Sequence, residues 1–189
     1  GMYLHRDRTA CARQIVFAIL SGERSSNSIA ATSDSRMRFF LAGIMQGSHF
    51  AAVLHNQDYR EHLKKLLAET FPEADVYDPL ADHGSSLEYD DAEGKRVFFH
   101  HNHLCREIDV LVAFVPEASM GTAIEMWEAY QHGAAVFTIS PLKHNWAVRF
   151  LSHEVYGEFD AFAEAVRDGR VARRIAEVRR EGCAGHDEE

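Results

Sequence analysis

Two carboxylates in the middle of the sequence are candidates for chemistry on a ligand, Glu125 and Asp109. A carboxylate held beside a ligand can act as a nucleophile, a general acid or a general base. Each also has a purely structural interpretation. A glutamate near the start of a helix interacts favourably with the helix dipole, and an aspartate before a strand caps the preceding turn. From physical chemistry alone both interpretations stay open.

The elements around Glu125 form a β-loop-α-β unit. Residues 110–115 are a short apolar run typical of a strand buried on both faces, and residues 116–121 form a loop. A helix is predicted over 122–132, ended by Gly133, with a second buried strand over 134–139. In such units ligands bind at the carboxyl ends of the strands, so Glu125, in the first helical turn, is expected to overhang the ligand crevice.

The rest of the chain repeats this alternation of strand and helix. Further strands are predicted at 38–42, 74–77 and 154–156, and further helices at 57–71, 95–107, 146–151, 159–166 and 171–180. The pattern predicts an α/β, Rossmann-like (flavodoxin-like) three-layer fold with a parallel sheet of about five strands. The predicted domain spans 37–181, between an N-terminal extension and linker (1–36) and an acidic tail (182–189).

The N-terminal extension has two interpretations. Met37 stands directly before the first clear strand, so it is a candidate for the natural start, with residues 1–36 upstream of it. Alternatively, these residues form an arm that packs on a partner subunit.

Other candidate binding residues follow the ends of the first three strands. They are expected to share one crevice with Glu125, because consecutive parallel strands end at the same edge. Glycines there let a backbone approach a ligand closely. The candidates are Gly43, Gln46, Gly47 and Ser48 after the first strand, Asp78 after the second, and Ser119, Met120 and Gly121 after the third.

Composition limits the classes of partner. The formal charge of −9, from 20 basic and 29 acidic residues, opposes a surface that tracks nucleic-acid phosphates. The three cysteines form no CxxC pair and predict reduced thiols in a cytoplasmic protein. The sequence shows no membrane span or secretion signal. We predict no metal at the cluster of His100, His101 and His103, since only the first and last of these can share a helix face, and we predict no cofactor.

Five segments together resemble a known family: FFLAG, DYREHLKKLL, YDP, IDVLVAFVP and GTAIE. They are similar to the nucleoside 2-deoxyribosyltransferase superfamily, which includes the 2′-deoxynucleoside 5′-phosphate N-hydrolases. The resemblance covers roughly residues 37–151. Its most specific part is the apolar strand followed by Ser119, Gly121 and Glu125.

The resemblance implies an activity and roles for the two carboxylates. It implies cleavage or transfer of the N-glycosidic bond of a nucleoside or nucleoside monophosphate, with Glu125 as the nucleophile and Asp109 close to it and to the leaving base. Ser119 would help to hold a 5′-phosphate. A homo-oligomer is implied as well, with Trp127, Tyr130 and the N-terminal segment as interface candidates.

Three departures from the family pattern keep other functions open. Gln46 stands at the place of an arginine, Phe39 or Phe40 at that of a tyrosine, and His101 at that of an acidic residue. These departures favour, as an alternative, a catalytically silent nucleotide-binding module of the same fold. An N-glycosidase acting on a dinucleotide such as NAD ranks third, because no second nucleotide pocket is evident.

Overall fold

The structure is a computed structural model that describes residues 36–44, 58–83 and 86–184. They belong to the compact unit that begins at Arg36. The N-terminal extension and the acidic tail of the sequence analysis lie outside the described residues.

Five parallel strands form the central sheet, in the order β2-β1-β3-β4-β5. The predicted parallel α/β fold is therefore confirmed. Every strand lies within a residue or two of its predicted position. The strands are β1 (Arg38–Gly43), β2 (Asp75–Tyr77), β3 (Val110–Phe114), β4 (Ala135–Ile139) and β5 (Glu154–Tyr156).

Helices cover both faces of the sheet and complete the three layers. The face that carries Phe39 and Leu41 packs against α1 (Asp58–Thr70), α6 (Phe159–Arg167) and α7 (Arg170–Ala184). The opposite face, which carries Phe40 and Ala42, is covered by α4 (Met120–Gln131), α5 (Trp146–Phe150) and the end of α3 (Asp91–Leu104).

Burial on both faces of the sheet explains why the strand sequences are continuous apolar runs. Phe39 and Phe40 are adjacent in β1, point to opposite faces and are both fully buried. Burying a phenylalanine side chain is worth about 1.5 to 3 kcal/mol, so each face of this strand contributes to stability.

The helices differ from the sequence-based prediction in several places. The stretch after Asp78 contains the short helix α2 (Pro79–Asp82) and a 3₁₀ turn (Ser86–Glu88), where a long loop was predicted. The helix α3 begins at Asp91, because the Asp90 side chain accepts a hydrogen bond from the Glu93 N–H and caps it.

The start of α4 changes the position of the key carboxylate. Ser119 is the N-cap of this helix, which begins at Met120 rather than at Thr122. Glu125 therefore lies in the second turn of α4 and not in the first. The favourable effect of the helix dipole fades beyond the first turn, so the structural interpretation of Glu125 loses its basis.

Candidate active site

The candidate site lies at the carboxyl ends of β1 and β3, which are neighbours in the sheet. The chain leaves β1 through α1 on one face and leaves β3 through α4 on the other. This is the topological switch point at which open α/β sheets bind ligands. Two residues of α1, Tyr59 and Arg60, and one residue of α4, Glu125, interact electrostatically there.

Arg60 ties α1 to the strand ends. Its side chain is 1% exposed, and its Nη1 atom lies 2.9 Å from the Leu41 carbonyl oxygen and 2.8 Å from Asp78 Oδ1. Its Nη2 atom lies 3.4 Å from the Gly43 carbonyl oxygen. A buried guanidinium is stable only when it is paired and hydrogen-bonded in this way.

Asp78 occupies the predicted edge of the sheet, but its oxygen atoms are engaged by the protein. Besides Arg60, it accepts a hydrogen bond from the Leu80 N–H and caps α2, and its Oδ2 lies 3.4 Å from Lys64 Nζ. The structure therefore gives Asp78 the role of holding Arg60 in place.

Tyr59 places a hydroxyl group beside the end of β1. Its ring stacks on Phe114 with centroids 4.1 Å apart, and its hydroxyl is buried next to the Arg60 guanidinium, which interacts with it. A Cβ atom at Gly43 would collide with this hydroxyl, so glycine is required there. Burial raises the pKa of Tyr59 to about 12, and Glu125 is one of the charges that add to the rise. The hydroxyl therefore remains a hydrogen-bond donor at any physiological pH.

Glu125 is half-buried, and burial of its carboxyl raises its pKa to about 8. The nearby Arg60 guanidinium opposes this rise but does not cancel it. At neutral pH most of the carboxyl is protonated, and the carboxylate becomes the major form only above pH 8. A carboxyl with such a pKa can donate a proton or, once ionised, attack as a nucleophile.

Asp109 lies at the edge of the sheet opposite the start of α4, so its place beside the nucleophile, which the resemblance implies, stays a prediction. It precedes β3, whereas the helix of Glu125 follows this strand, which has 5 residues. A strand rises about 3.3 Å per residue, so roughly 16 Å separates the two edges. Asp109 Oδ2 accepts a hydrogen bond from the Arg38 N–H at 2.8 Å, and its Oδ1 lies 3.0 Å from Arg179 Nη2. These contacts give it a structural role.

Of the three candidates after β3, Ser119 is the N-cap of α4, and Met120 and Gly121 lie in its first turn rather than in a loop. The Ser119 Oγ accepts hydrogen bonds from the N–H and the hydroxyl of Thr122, so capping occupies it. Met120 is 85% exposed. Ser119 and Met120 line a cavity of about 210 Å³ together with residues around α5; Glu125 is not among its lining residues. Gly121 lies in the first turn of α4, and no described atom would crowd a Cβ there.

Three predicted binding residues, Gln46, Gly47 and Ser48, lie outside the described residues. Their contribution to the crevice stays a prediction.

His101 belongs to a cluster of rings beside the crevice. Its centroid lies 6.3 Å from that of Phe40, 6.0 Å from Tyr77 and 5.1 Å from His83. Burial lowers the pKa of His101 to about 4, with smaller effects from His83 and His100. In the part of the chain that the structure describes, no three His, Cys, Asp or Glu side chains converge on a possible metal position.

Sequence reasoning missed Tyr59 and Arg60. The helical periodicity of α1 assigns Tyr59 to the apolar face, and an arginine on an amphipathic helix is ordinarily solvent-exposed. The one local signal for a buried Arg60 is that it stands next to Tyr59, near the side of the helix that faces the core. Its true partners, the strand-end carbonyls and Asp78, are close in space only in the folded sheet.

Comparisons with known proteins identify the fold. No protein-family model and no curated protein matches the chain at the level of sequence. A 2-deoxyribosyltransferase from the psychrotolerant bacterium Bacillus psychrosaccharolyticus has a similar structure, with a TM-score of 0.50 and 16% identity over 67% of this chain and 90% of that one. A conserved protein from Enterococcus faecalis V583 has a TM-score of 0.52 and 17% identity over 71% of this chain and 99% of that one.

A third solved structure, a CMP N-glycosidase from Clostridium botulinum, is less similar, with a TM-score of 0.40 and 19% identity over 69% of this chain and 98% of that one. The first two likenesses confirm the fold that the resemblance implies. The chain is folded like a 2-deoxyribosyltransferase.

Proposed function

We propose that this chain, with the fold of a 2-deoxyribosyltransferase, cleaves or transfers the N-glycosidic bond of a nucleoside or nucleoside monophosphate. The observation that carries the proposal is the position of Glu125. It combines a half-buried carboxyl, a place at the switch point and the proximity of Arg60 and Tyr59. The likeness to a solved 2-deoxyribosyltransferase supports the choice of reaction.

In this mechanism the ionised Glu125 attacks the anomeric carbon of the sugar. The bond to the base breaks as the bond to the carboxylate forms, through a transition state that resembles an oxocarbenium ion. The negative charge of Glu125 stabilises the developing positive charge. Water or a second base then displaces the carboxylate from the glycosyl-enzyme intermediate.

Two neighbours adjust this carboxylate. Arg60 favours its ionised form through its positive charge. Tyr59, whose hydroxyl interacts with Arg60, can donate a hydrogen bond to the sugar or to the carboxylate. Gly43 leaves the space in which that hydroxyl lies.

The test is release of free base from a panel of nucleosides, deoxynucleosides, their 5′-monophosphates and NAD. We expect base release from at least one of them by the wild type, and a loss of at least a hundredfold in Glu125→Gln. Glu128→Gln is the matched control, since Glu128 lies on the same helix and pairs with Arg106 at 2.8 Å. Undiminished release by Glu125→Gln would exclude Glu125 as the nucleophile.

The second candidate function is a nucleotide-binding module without turnover. The raised pKa of Glu125, about 8, favours it, because a protonated carboxyl is a poor nucleophile at neutral pH. Calorimetric titration separates the two functions. Saturable binding of an intact nucleotide with no product after long incubation at pH 9 would support the module, and accumulating base would exclude it.

A further inference from the structure

The three segments that follow β1, β2 and β3 in the sequence carry acidic residues but no lysine or arginine. They are residues 44–57, 78–94 and 115–122. Parallel strands end at the same edge of a sheet, so all three segments begin at the edge where α4 starts. Their acidic residues are Asp78, Asp82, Glu88, Asp90, Asp91, Glu93 and Glu117. The candidate site therefore lies at an acidic edge of the sheet.

The basic side chains that the neighbouring helices bring to this edge are engaged by carboxylates. Arg60 is 1% exposed and bonds to Asp78, and Lys64, one turn further along α1, lies 3.4 Å from the same carboxylate. On α3, Arg96 makes two contacts with Glu93, through Nε at 3.0 Å and Nη2 at 2.7 Å. The charge of each of these cations is therefore already balanced within the protein.

Two further lysines flank the edge. Lys143 follows β4, and its Cε would lie 4.0 Å from a Cβ atom at Gly157, which follows β5. The Lys143 side chain therefore extends toward β5, away from β1 and β3. Lys95 is exposed in the second turn of α3, directly after a segment with six acidic residues. One exposed lysine leaves this side of the edge acidic.

The carboxylates act on side chains at the ends of β1 and β2. Burial raises the pKa of Tyr77, and Asp82 and Asp78 add to the rise. Burial also raises the pKa of Tyr59, and Asp78 adds to this rise although Arg60 opposes it. Negative charge thus reaches the groups that border the crevice.

We propose that this acidic edge makes the candidate site selective for a nucleoside without a 5′-phosphate, with Asp82 and Glu117 as specificity-determining residues. The inference rests on the proposed function and names its substrate class. Asp82 ends α2 and Glu117 precedes α4, so the two exposed carboxylates flank β1 in the sheet order. A phosphate monoester carries about two negative charges at neutral pH and is held best by arginine or lysine. Here it would meet carboxylates, whereas an uncharged 5′-hydroxyl would not be repelled.

The N-terminus of α4 is the alternative place for a phosphate, because backbone N–H groups at a helix start can hold an anion. Ser119 Oγ already accepts the Thr122 N–H at 3.3 Å and the Thr122 hydroxyl at 3.0 Å. Glu117 stands two residues before Ser119, so its charge opposes an anion at the same helix end. Both features favour an uncharged group there.

The experiment measures binding of matched pairs, so that it does not depend on turnover. Thymidine, deoxycytidine, deoxyadenosine and deoxyguanosine, and the 5′-monophosphate of each, are titrated calorimetrically into the full-length wild type at 0.1 M and 1 M NaCl. The Debye length falls from about 10 Å to about 3 Å between these conditions, so an electrostatic preference shrinks and a steric one does not.

The test variant combines Asp82→Asn with Glu117→Gln and so removes two negative charges at the acidic edge. The matched control combines Glu69→Gln with Glu73→Gln. These two exposed residues lie near the end of α1 and in the turn before β2, at the opposite edge of the sheet. Both variants change the net charge of the chain by the same amount.

We expect at least one nucleoside to bind at least tenfold more tightly than its 5′-monophosphate at 0.1 M NaCl, with a smaller preference at 1 M. The test variant should narrow the preference at least threefold at 0.1 M NaCl, and the control should keep it. Equal or tighter binding of the monophosphates would overturn the proposal. So would a preference that neither salt nor the test variant changes, or no binding of any nucleoside.

The proposed function fails by a different result. If nucleosides bind with the expected preference but no substrate releases base at any pH, the selectivity stands and the glycosidase activity does not. If base is released from a monophosphate with a kcat/KM equal to or higher than that of its nucleoside, the activity stands and the selectivity does not.

Discussion

At the scale of single residues, two opposing effects determine the pKa of Glu125. Its burial disfavours the charged form, and the guanidinium of Arg60 favours it, with the net result that the pKa rises to about 8. Because the nucleophile must be ionised, the proposed reaction requires a proton to leave Glu125 before the attack. The protonation state of this one group therefore links activity to pH.

We expect kcat/KM for base release to rise with pH and to reach half of its maximum near pH 8. The reason is that the ionised fraction of Glu125 increases through its folded-state pKa. The measurement is a pH profile of initial rates between pH 5.5 and 9.5. A rate that falls over this range would mean that the protonated form is active and that Glu125 acts as a general acid.

Replacement of Arg60 should affect both stability and this profile. Arg60→Met leaves Asp78 with the more distant Lys64, at 3.4 Å, as its remaining cationic neighbour among the described contacts. Removing one partner of a buried ion pair costs about 3 to 5 kcal/mol, and Lys64 keeps the expected loss near the lower figure. Urea denaturation measures it, with Arg174→Met, a partly exposed arginine of α7, as the control. A loss below about 1 kcal/mol would contradict the central role of Arg60.

The Arg60→Met variant should also shift the pH profile of base release toward higher pH. Arg60 lowers the pKa of Glu125, so its removal raises that pKa further. We expect the half-maximal rate of any folded Arg60→Met protein to occur above pH 8. A profile that does not move would show that Arg60 acts through structure alone.

At the scale of elements, α1 and α4 bring the site together from opposite faces of the sheet. The sequence predicts both helices and the strands that precede them, because long amphipathic periods and buried apolar runs are strong local signals. It also predicts Glu125 as a crevice residue. It does not predict that Tyr59 and Arg60 lie at the strand ends, because the partners of Arg60 are carbonyl groups at the ends of other elements.

For Asp109 the family resemblance and the observed contacts suggest different roles. A family resemblance transfers the role of a residue along the sequence, but the position of Asp109 is set by the direction of β3. The physical interpretation, in which an aspartate at a strand start binds a neighbouring backbone N–H, describes the observed contact with Arg38. The sequence also predicts the start of α4 two residues too late, at Thr122. Ser119 caps the helix, so it begins at Met120, before its apolar pattern does.

We expect Asp109→Ala to lower stability and leave the reaction intact. Asp109 binds the Arg38 N–H at the start of β1 and Arg179 on α7, and losing a charged acceptor of this kind costs about 1 to 3 kcal/mol. Urea denaturation and base release are measured on the same preparation, with Asp109→Asn as a variant that keeps an acceptor. A tenfold fall in kcat/KM with unchanged stability would show that Asp109 takes part in the reaction.

The link between β4 and the segment before β5 should weaken in acid. His153 Nδ1 accepts a hydrogen bond from the Val136 N–H at 3.0 Å, which requires this nitrogen to be unprotonated. Burial, with a smaller effect of Arg174, holds the pKa of His153 below its usual value of 6.5. The unfolded state therefore binds the proton more strongly, so this contribution to stability is complete above pH 6.5 and is lost as the pH falls toward the folded-state pKa.

The measurement for His153 is the free energy of unfolding in urea at pH 7.5, 6.5, 5.5 and 5.0. A single group changes the slope by at most about 1.4 kcal/mol per pH unit, and His153→Asn should flatten the wild-type curve by part of that amount. His103→Asn is the control, since His103 is exposed. If both variants keep the wild-type slope, His153 does not titrate on unfolding.

At the scale of the whole molecule, α4 and α5 both expose large apolar side chains. Met120, Ile124 and Trp127 recur along one side of α4, and Trp146 and Phe150 do so along α5. The two sets adjoin, because Met120 and Ala147 line the same cavity. Among the described residues, no helix is long and apolar enough to cross a membrane. A patch of this kind on a protein surface marks an interaction site.

We expect this patch to pair with the same patch of a second copy, which would form the predicted homo-oligomer. Trp146 is 76% exposed and Met120 is 85% exposed, and the five side chains together present on the order of 500 Å² of apolar surface. A stable interface needs about 800 Å² from each partner, so the patch would supply its apolar centre and polar residues its rim. Sedimentation velocity should show a dimer or a larger assembly for the wild type.

Charge reversal tests which surface is used, because α3 exposes a separate apolar pair, Phe98 and Phe99. Trp146→Glu places a charge at the first residue of α5, where it suits the helix dipole and leaves the core untouched. We expect it to give a monomer with a wild-type melting temperature, while Phe99→Glu keeps the assembly. If the wild type sediments as a monomer, the predicted homo-oligomer is wrong. Dissociation by Phe99→Glu but not by Trp146→Glu would move the interface to α3.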